Sequence, residues 1–295
     1  MPTIPFFIVD VFAEEKYAGN QLAVFTEADS LSGADMQRLA KEMHFSESTF
    51  LLSREPRDGG YDVRIFTPEA EVPFAGHPTL GTAFVIQQEI VQARVDAITL
   101  NLPVGPIPVT FTYLLDDPDI LWMRQPAPVF GATFAPESLA PVLGLDVAAL
   151  DARFPAQEVS TGLPFVVAPL RNLAALKQVK VDQDRCLTLL ADAQAKALLV
   201  FSPETYQRRN DLSVRVFADY YGVPEDPATG SANGCLAAYL TRHRYFGSDR
   251  IDIRVEQGHA VGRPSLLYLR ASDDADDITV SVGGGVKMIA HGSFL

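Results

Sequence analysis

Residues 63–86 read VRIFTPEAEVPFAGHPTLGTAFVI, and residues 214–240 read VRVFADYYGVPEDPATGSANGCLAAYL. Each stretch runs from an apolar strand pattern, through a turn that contains proline, into a glycine-rich helix start and then an apolar helix. The offset from Arg64 to Arg215 is 151 residues, and the offset from Gly76 to Gly230 is 154. This similarity predicts a chain built from two related halves.

Both copies place polar residues at the start of the apolar helix. His77 follows Gly76 in the first copy, whereas Asp226 precedes Gly230 and Ser231 follows it in the second. The first N–H groups of a helix lack intrahelical partners, and the helix dipole favours negative charge there. Two such helix starts facing one cleft would therefore bind a small anion. Ser231 is also well suited to cap the second helix.

The composition excludes several classes of protein. The 295 residues include 24 Lys and Arg against 37 Asp and Glu, a formal net charge of −13. This balance argues against a nonspecific nucleic-acid surface, because phosphate backbones are bound by clustered basic residues. The two cysteines and five histidines show no metal-binding spacing. Without a signal-peptide pattern or a membrane-spanning apolar run, we expect a cytoplasmic protein with no metal and no membrane contact.

Strand patterns outnumber helix patterns along the chain. Short apolar or β-branched runs predict strands at 6–12, 22–25, 49–52, 61–67, 198–201, 212–218, 251–256, 266–269, 278–282 and 286–289, and two more within 98–113 on either side of a turn at 103–106. Helical spacing is found at 32–43, 77–89, 182–193 and 231–243, with a capping box from Ser32 to Asp35. The helices at 77–89 and 231–243 are apolar on most faces, which is typical of a buried helix.

The order of these elements favours an α+β fold class, because many neighbouring strands are joined by short turns. We predict two similar domains, each a barrel-like, mostly antiparallel sheet around one central helix. The first would span residues 1–117 and the second 118–284, with a strand in 285–295 returning to the first. A region that contains prolines and acids, 116–136, is the best linker candidate.

Three polar stretches could carry chemistry. Glu47 lies between a helix end and an apolar strand; a carboxylate in an apolar wall has a raised pKa and can move protons near neutrality, although Glu is mostly exposed. His77 could orient a substrate or only cap its helix. Asp226 and Ser231 stand in a run of acids, hydroxyls and glycines at the edge of a buried helix, a usual signature of a site. For Cys235, within the second helix, a buried inert thiol is the favoured interpretation.

These motifs together resemble the phenazine-biosynthesis isomerase family (PhzF-like proteins), which has the diaminopimelate-epimerase-like fold. In chain order they are DVF at 10–12, GNQLAV at 19–24, FSESTF at 45–50, RIFTP at 64–68, EVPFAGHPTLG at 71–81, EDPATGSANG at 225–234, EQG at 256–258 and GRPS at 262–265. They span nearly the whole chain. The sequence departs from the family pattern at Gln21, where many relatives have Pro, at His44, where Asn is frequent, and at Ser48, which replaces a common Thr.

The resemblance implies a cofactor-free proton-transfer enzyme, often dimeric, with its site in the cleft between two domains. It places the acid/base glutamate on Glu47 and substrate contacts on His77, Asp226 and Ser231. The related epimerases and racemases use two cysteines, one at each helix start. This chain has no cysteine at either place, which disfavours racemisation by two thiols.

We therefore expect an isomerase of a small carboxylate-bearing molecule similar to trans-2,3-dihydro-3-hydroxyanthranilate, with Glu47 moving a proton from one carbon to another. The expected substrate-binding residues are Gly76, His77, Asp226, Gly230 and Ser231. We expect a homodimer that binds a small anionic metabolite and needs neither metal nor organic cofactor. Two alternatives stay open: an epimerase of another small amino or hydroxy acid, and a non-catalytic ligand-binding protein of the same fold.

Overall fold

The structure is a computed structural model that describes residues 3–114, 117–274 and 277–295. The α-helices in these ranges are α1 (Gly33–Met43), α2 (Gly76–Val85), α3 (Pro136–Leu143), α4 (Leu173–Gln178), α5 (Gln183–Leu189) and α6 (Gly230–Arg242). The strands are β1 (Ile4–Val11), β2 (Asn20–Phe25), β3 (Glu47–Leu51), β4 (Tyr61–Phe66), β5 (Glu71–Val72), β6 (Ala97–Leu102), β7 (Gly105–Leu114), β8 (Asp117–Arg124), β9 (Val129–Phe134), β10 (Ala156–Ser160), β11 (Pro164–Pro169), β12 (Leu198–Ser202), β13 (Leu212–Ala218), β14 (Val223–Asp226), β15 (Arg250–Gln257), β16 (Ser265–Asp274), β17 (Asp277–Gly284) and β18 (Val286–Phe294).

The chain forms two compact units. One contains the residues up to Met123 together with Gly283–Leu295, and the other is Arg124–Val282. Among the residues described, none of the helices combines the length and apolar character that crossing a bilayer requires.

In the first unit, a mixed sheet packs against α2. β1 pairs antiparallel with β18 and β2, and β2 pairs parallel with β3. β3 is antiparallel to β4, which is antiparallel to β5 and parallel to β6; β6, β7 and β8 are successive antiparallel neighbours. α2 contacts β1, β2, β3, β6, β7 and β18, and all ten of its residues are buried. α2 is therefore the core helix of this unit.

The opposite face of the first sheet is covered by α1. The Ser32 side chain accepts a hydrogen bond from the Asp35 N–H, so the prediction that Ser32 caps this helix is confirmed. The Asp35 carboxylate accepts from the Ser32 hydroxyl, whereas in a capping box it would accept from the Ser32 N–H. Met36 of α1 lies in one apolar cluster with Phe50 of β3 and Phe66 of β4. Because side chains alternate along a strand, the neighbours of Phe50 on β3 point to the other face, towards α2.

The second unit repeats the order of strand pairings of the first. β10 pairs antiparallel with β9 and β11, and β11 pairs parallel with β12. β12 is antiparallel to β13, which is antiparallel to β14 and parallel to β15; β15 is antiparallel to β16. α6 contacts β10, β11, β15 and β16 and is buried except at Ser231 and Arg242. α6 thus occupies in this unit the position of α2 in the first.

The mixed α/β architecture with mostly sheet agrees with the predicted fold class, and most predicted elements are present. The division between the two units follows Met123, inside the predicted linker 116–136. Residue 116 lies outside the described residues, and most of 117–136 is in β8 and β9, so this stretch contains more regular structure than a linker of turn-forming residues would. Leu121, Trp122 and Met123 are buried there, and between residues 117 and 136 the backbone is irregular only at 125–128 and at 135. The prolines and acids of this region indicated a linker, whereas its apolar run forms the buried part of β8. The domain boundaries and the likeness of two barrel-like domains stay predictions.

Candidate active site

Glu47 begins β3 and faces α2. Thr49, two residues later on the same side of the strand, has its Oγ1 2.8 Å from Oγ1 of Thr82 in α2. Oε2 of Glu47 lies 3.6 Å from Nε2 of His77, the second residue of α2. The His77 side chain is 6% exposed and that of Glu47 is 20% exposed. The structure thus brings together two of the predicted site residues at the start of α2.

His77 is a neutral imidazole. Burial lowers the pKa of His77 to about 3, and a hydrogen bond with the Gln21 backbone offsets only part of that effect. Among the described residues Nε2 has no hydrogen-bond partner, so Nδ1 is the atom that bonds Gln21. A neutral ring that donates from Nδ1 presents a lone pair at Nε2. The contact with Glu47 is therefore not an ion pair, and the two side chains suit a ligand group that donates hydrogen bonds.

The start of α2 is open to an anion. The helix begins at Gly76, its N-cap is Ala75, no described side chain caps it, and its first turn has no acidic residue. His77 lies within the first turn and does not cap the helix. Unpaired N–H groups at such a helix start attract a carboxylate.

Farther along α2, Gly81 allows the helix to pack closely on β1 and β2. A Cβ at Gly81 would lie 2.6 Å from Leu22 and 2.8 Å from Val11.

The start of α6 is open in the same way. The helix begins at Gly230 with Thr229 as N-cap, and within the described residues it has no side-chain cap and no acid in its first turn. The prediction that Ser231 caps this helix is wrong, because the helix begins one residue earlier and places Ser231 inside the first turn. Gly230 is buried and Ser231 is partly exposed. Both remain positioned to meet a ligand at the helix start.

A hydrogen-bond network fixes Asp226 beside that helix start. The Thr229 hydroxyl donates to Oδ2 of Asp226 in a short hydrogen bond. Nε2 of Gln257, on β15, donates to the Asp226 backbone oxygen at 2.8 Å and to the Thr229 hydroxyl at 3.1 Å. Nδ2 of Asn233 donates to Oε1 of Gln257 at 2.9 Å and to the Thr229 backbone oxygen at 3.0 Å. Asp226 is only 8% exposed, so this network orients a buried carboxylate.

Gln257 was missed as a candidate site residue. Its only signal in the sequence was the EQG motif at 256–258, because an amide at the end of an apolar strand has no local pattern that indicates a partner 28 residues earlier. Thr229 and Asn233 lie in the predicted polar stretch but were not singled out.

Cys235 lies in α6 as a protonated thiol. Burial raises its pKa to about 11, and its sulfur donates a hydrogen bond to the Leu163 backbone oxygen at 3.5 Å. This agrees with the interpretation of an inert thiol. In the described ranges, no group of three or more His, Cys, Asp or Glu side chains is placed to hold a metal ion.

The predicted site residues therefore form two sets, each within its own unit. Glu47, Gly76 and His77 meet at the start of α2. Asp226, Gly230 and Ser231 meet at the start of α6.

Comparison with known proteins gives one consistent result. A family model described as "Phenazine biosynthesis-like protein" matches residues 9–292. The trans-2,3-dihydro-3-hydroxyanthranilate isomerase of Pseudomonas aeruginosa is 37% identical over 290 residues, which cover 97% of this chain and 98% of that relative. A crystal structure of a PhzF-family phenazine biosynthesis protein from Bacillus anthracis matches with a TM-score of 0.91 at 27% identity, covering 100% of both chains.

The fold extends to more distant proteins. A probable proline racemase from Agrobacterium radiobacter matches with a TM-score of 0.61 at 10% identity, covering 99% of this chain and 93% of that one. At that identity the likeness shows the fold alone.

Proposed function

The chain belongs to the phenazine biosynthesis-like protein family and is an isomerase, and we propose that it moves a proton by general acid/base catalysis without a cofactor. Its substrate would be a small carboxylate-bearing molecule similar to trans-2,3-dihydro-3-hydroxyanthranilate, on which relatives of 36–37% identity act by name. The observation that carries the proposal is the contact of Glu47 with a buried, neutral His77.

Glu47 is the proposed acid and base. As a carboxylate it takes a proton from one substrate carbon, and the electron pair of the broken C–H bond shifts the neighbouring double bond. The protonated Glu47 then delivers a proton to the carbon at the far end of the shifted system, so the product is an isomer and the enzyme is regenerated. A positioned carboxylate of this kind contributes roughly 10²–10⁴-fold to the rate.

His77 and Asp226 are proposed to hold the polar substituent of the substrate. The Nε2 lone pair of His77 can accept a hydrogen bond from an amino or hydroxyl group, and it cannot itself protonate the substrate near neutrality because its pKa is about 3. The buried carboxylate of Asp226 accepts from the same kind of donor.

The substrate carboxylate is proposed to bind N–H groups at the uncapped helix starts. Gly76 begins α2 and Gly230 begins α6, and neither first turn contains an acidic residue, so the positive end of each helix dipole favours an anion there. The Ser231 hydroxyl adds a further donor. Binding by N–H groups and hydroxyls suits a compact anion and needs no metal ion.

We also propose a domain organisation and an oligomeric state for the chain. The shared order of strand pairings supports two similar domains that arose by duplication, each with one core helix. We propose a homodimer, as the family resemblance implies, and a cytoplasmic location. Light scattering behind a sizing column checks the dimer, because a monomer has a mass of 32.1 kDa.

The test is turnover of trans-2,3-dihydro-3-hydroxyanthranilate in D₂O with a chelator present, followed by proton NMR. We expect a double-bond isomer that carries deuterium at a single carbon. Deuterium at a stereocentre with loss of optical purity would show an epimerase instead. Tight binding without any exchange would show a ligand-binding protein, and loss of turnover on chelation would contradict cofactor independence.

A further inference from the structure

We propose that Gln257 is a positioning residue that prevents Thr229 from capping α6 and so keeps the first N–H groups of that helix open to the substrate carboxylate. This inference rests on the proposed carboxylate site at Gly230. It assigns a function to a buried amide at the end of β15 that touches no reacting atom.

Gln257 uses its full hydrogen-bonding capacity on the start of α6. The side chain is 1% exposed. Nε2 donates to the Asp226 backbone oxygen and to the Thr229 hydroxyl, while Oε1 accepts from the Thr229 N–H at 3.2 Å and from Asn233 at 2.9 Å. A primary amide has two donor hydrogens and two acceptor lone pairs, and all four are used here. One side chain therefore fixes the backbone and the hydroxyl of the N-cap residue together.

These bonds determine the direction of the Thr229 hydroxyl. Because Oγ1 of Thr229 accepts a hydrogen bond from Gln257, its single hydrogen remains for Asp226. The result is a directed chain from amide to hydroxyl to carboxylate. Loss of the Nε2 donor of Gln257 would remove the bond that holds the Thr229 hydroxyl towards Asp226.

Thr229 would otherwise be expected to cap α6. Threonine is a favoured N-cap residue, and its hydroxyl normally accepts from an N–H in the first turn. The side chains of Ser32, Asn172 and Asp182 cap α1, α4 and α5 in this way. Thr229 makes no such bond, since its hydroxyl is held towards Asp226. An unoccupied helix start in the presence of a capping residue is what a carboxylate site needs.

The neighbouring residue supplies a matched control. Glu256 precedes Gln257 on β15, is 2% exposed and also makes four hydrogen bonds, all of them as the acceptor. Its donors are the Tyr206 and Gln207 N–H groups, the Asn210 amide and the Ser213 hydroxyl. Glu256 therefore anchors the segment 206–213 and not α6. A substitution at Glu256 should therefore lower the stability of the protein, as one at Gln257 would, but leave the hydrogen bonds of Thr229 in place.

The experiment measures binding of anthranilate, an unreactive aromatic carboxylate with an adjacent amino group, by calorimetry. The variants are Gln257→Met, Gln257→Glu, Thr229→Val, the double variant Gln257→Met/Thr229→Val, and Glu256→Gln as control. We expect Gln257→Met and Gln257→Glu to weaken binding about tenfold or more, as for loss of hydrogen bonds to a charged group. The double variant should recover the affinity of Thr229→Val, because no hydroxyl remains to cap the helix. Glu256→Gln should lower the thermal midpoint and leave affinity unchanged.

Three results would overturn the inference. These are equal loss of affinity in the Glu256 and Gln257 variants, no recovery in the double variant, or no anthranilate binding by the wild-type chain. Gln257→Glu keeps the size and the Oε1 acceptor but adds a negative charge. Recovery of its affinity when Thr229→Val is added, and not its loss of affinity alone, therefore reports on the donor if Gln257→Met folds poorly. The inference and the proposed function can fail separately. If the double variant recovers its affinity for anthranilate but the wild-type chain shows no turnover, the proposed function fails and this inference holds.

Discussion

The starts of α2 and α6 occupy equivalent places in the two units, yet they carry different chemistry. Both helices are buried, begin at a glycine and lack a side-chain cap within the described residues. At α2 the polar groups are Glu47 and a neutral His77 whose Nε2 faces it. At α6 they are Asp226 and a set of hydroxyl and amide groups that are tightly bonded to one another. A network of fixed bonds is suited to holding a ligand in place, whereas a carboxylate beside a hydrogen-bond acceptor is suited to moving a proton.

The two units also differ in the burial of an equivalent ion pair between an arginine and a glutamate. Arg64 pairs with Glu71 in the first unit, and Arg215 pairs with Glu225 in the second, each through two hydrogen bonds. The first pair is 31% and 37% exposed, while the second is 13% and 14% exposed. The Arg215–Glu225 pair is therefore the more deeply buried of the two.

The largest expected effect on stability comes from breaking the buried pair. Arg215→Met should lower the free energy of unfolding by about 3–5 kcal/mol, because it leaves Glu225 buried without its cation and also removes bonds to two backbone oxygens. The matched change Arg64→Met should cost about 1 kcal/mol or less, because water reaches Glu71. Urea unfolding measures both values. Equal losses would contradict the difference between the two copies.

The next effect concerns ligand affinity at α6. Asp226→Asn keeps the size of the side chain and removes its charge, so binding of the substrate should weaken about tenfold to a hundredfold, as for loss of a charge-assisted hydrogen bond. Calorimetry of substrate binding checks the value. Asp219→Asn, at an exposed position beyond β13, is the control and should leave affinity unchanged. Unaltered affinity in Asp226→Asn would remove Asp226 from the substrate contacts.

A third prediction compares the glycines inside the two helices. Gly81→Ala should destabilise the protein by about 1–3 kcal/mol through overpacking, because the new methyl group would meet Leu22 and Val11 at under 3 Å. At Gly234 the nearest atoms are Thr161 Oγ1 at 2.9 Å and Gln125 at 3.1 Å, so Gly234→Ala should cost less. Thermal midpoints of the two variants decide the order. A larger loss at Gly234 would show that α6 is the more tightly packed helix.

The last effect on stability is confined to acid pH and is the pH dependence contributed by His77. The unfolded chain binds a proton at this histidine near pH 6.5, whereas the folded chain resists protonation down to about pH 3. Stability from the neutral ring is therefore complete above pH 6.5 and is lost as the pH falls towards 3. His77→Gln should reduce the slope of unfolding free energy against pH in that window by up to about one proton. The exposed His291→Gln is the control, and a slope unchanged by His77→Gln would mean that the ring is protonated in the folded state.

The repeat in the sequence was enough to predict the two buried core helices. It also placed Gly76 with His77, and Gly230 with Ser231, at their starts. It also led to Glu47, through the resemblance and the apolar strand that follows. The pairing of Glu47 with His77 could not be derived, because it depends on the parallel placement of β3 beside β2 and on the distance between that strand and α2. Gln257 was missed for the same reason, since its partners are distant in sequence.

The departures from the family pattern have simple structural explanations. Gln21 bonds His77 through its backbone, so the side chain there is free to vary. His44 ends α1 in the left-handed conformation, at φ 55°, which Asn and His adopt more readily than most residues. Ser48 is fully buried next to Glu47 on β3 and, by strand alternation, points away from α2. None of the three changes the polar groups at the helix starts.

The division of roles between the two helix starts is tested most directly by comparing turnover with affinity in Glu47→Gln. The amide keeps the shape of the side chain and cannot cycle a proton, so kcat should fall by roughly 10²–10⁴-fold while the dissociation constant of the substrate stays close to that of the wild-type chain. Glu42→Gln, at an exposed position on α1, is the control and should retain full turnover. Wild-type kcat in Glu47→Gln, or a loss of affinity as large as the loss of kcat, would contradict the assignment of proton transfer to Glu47.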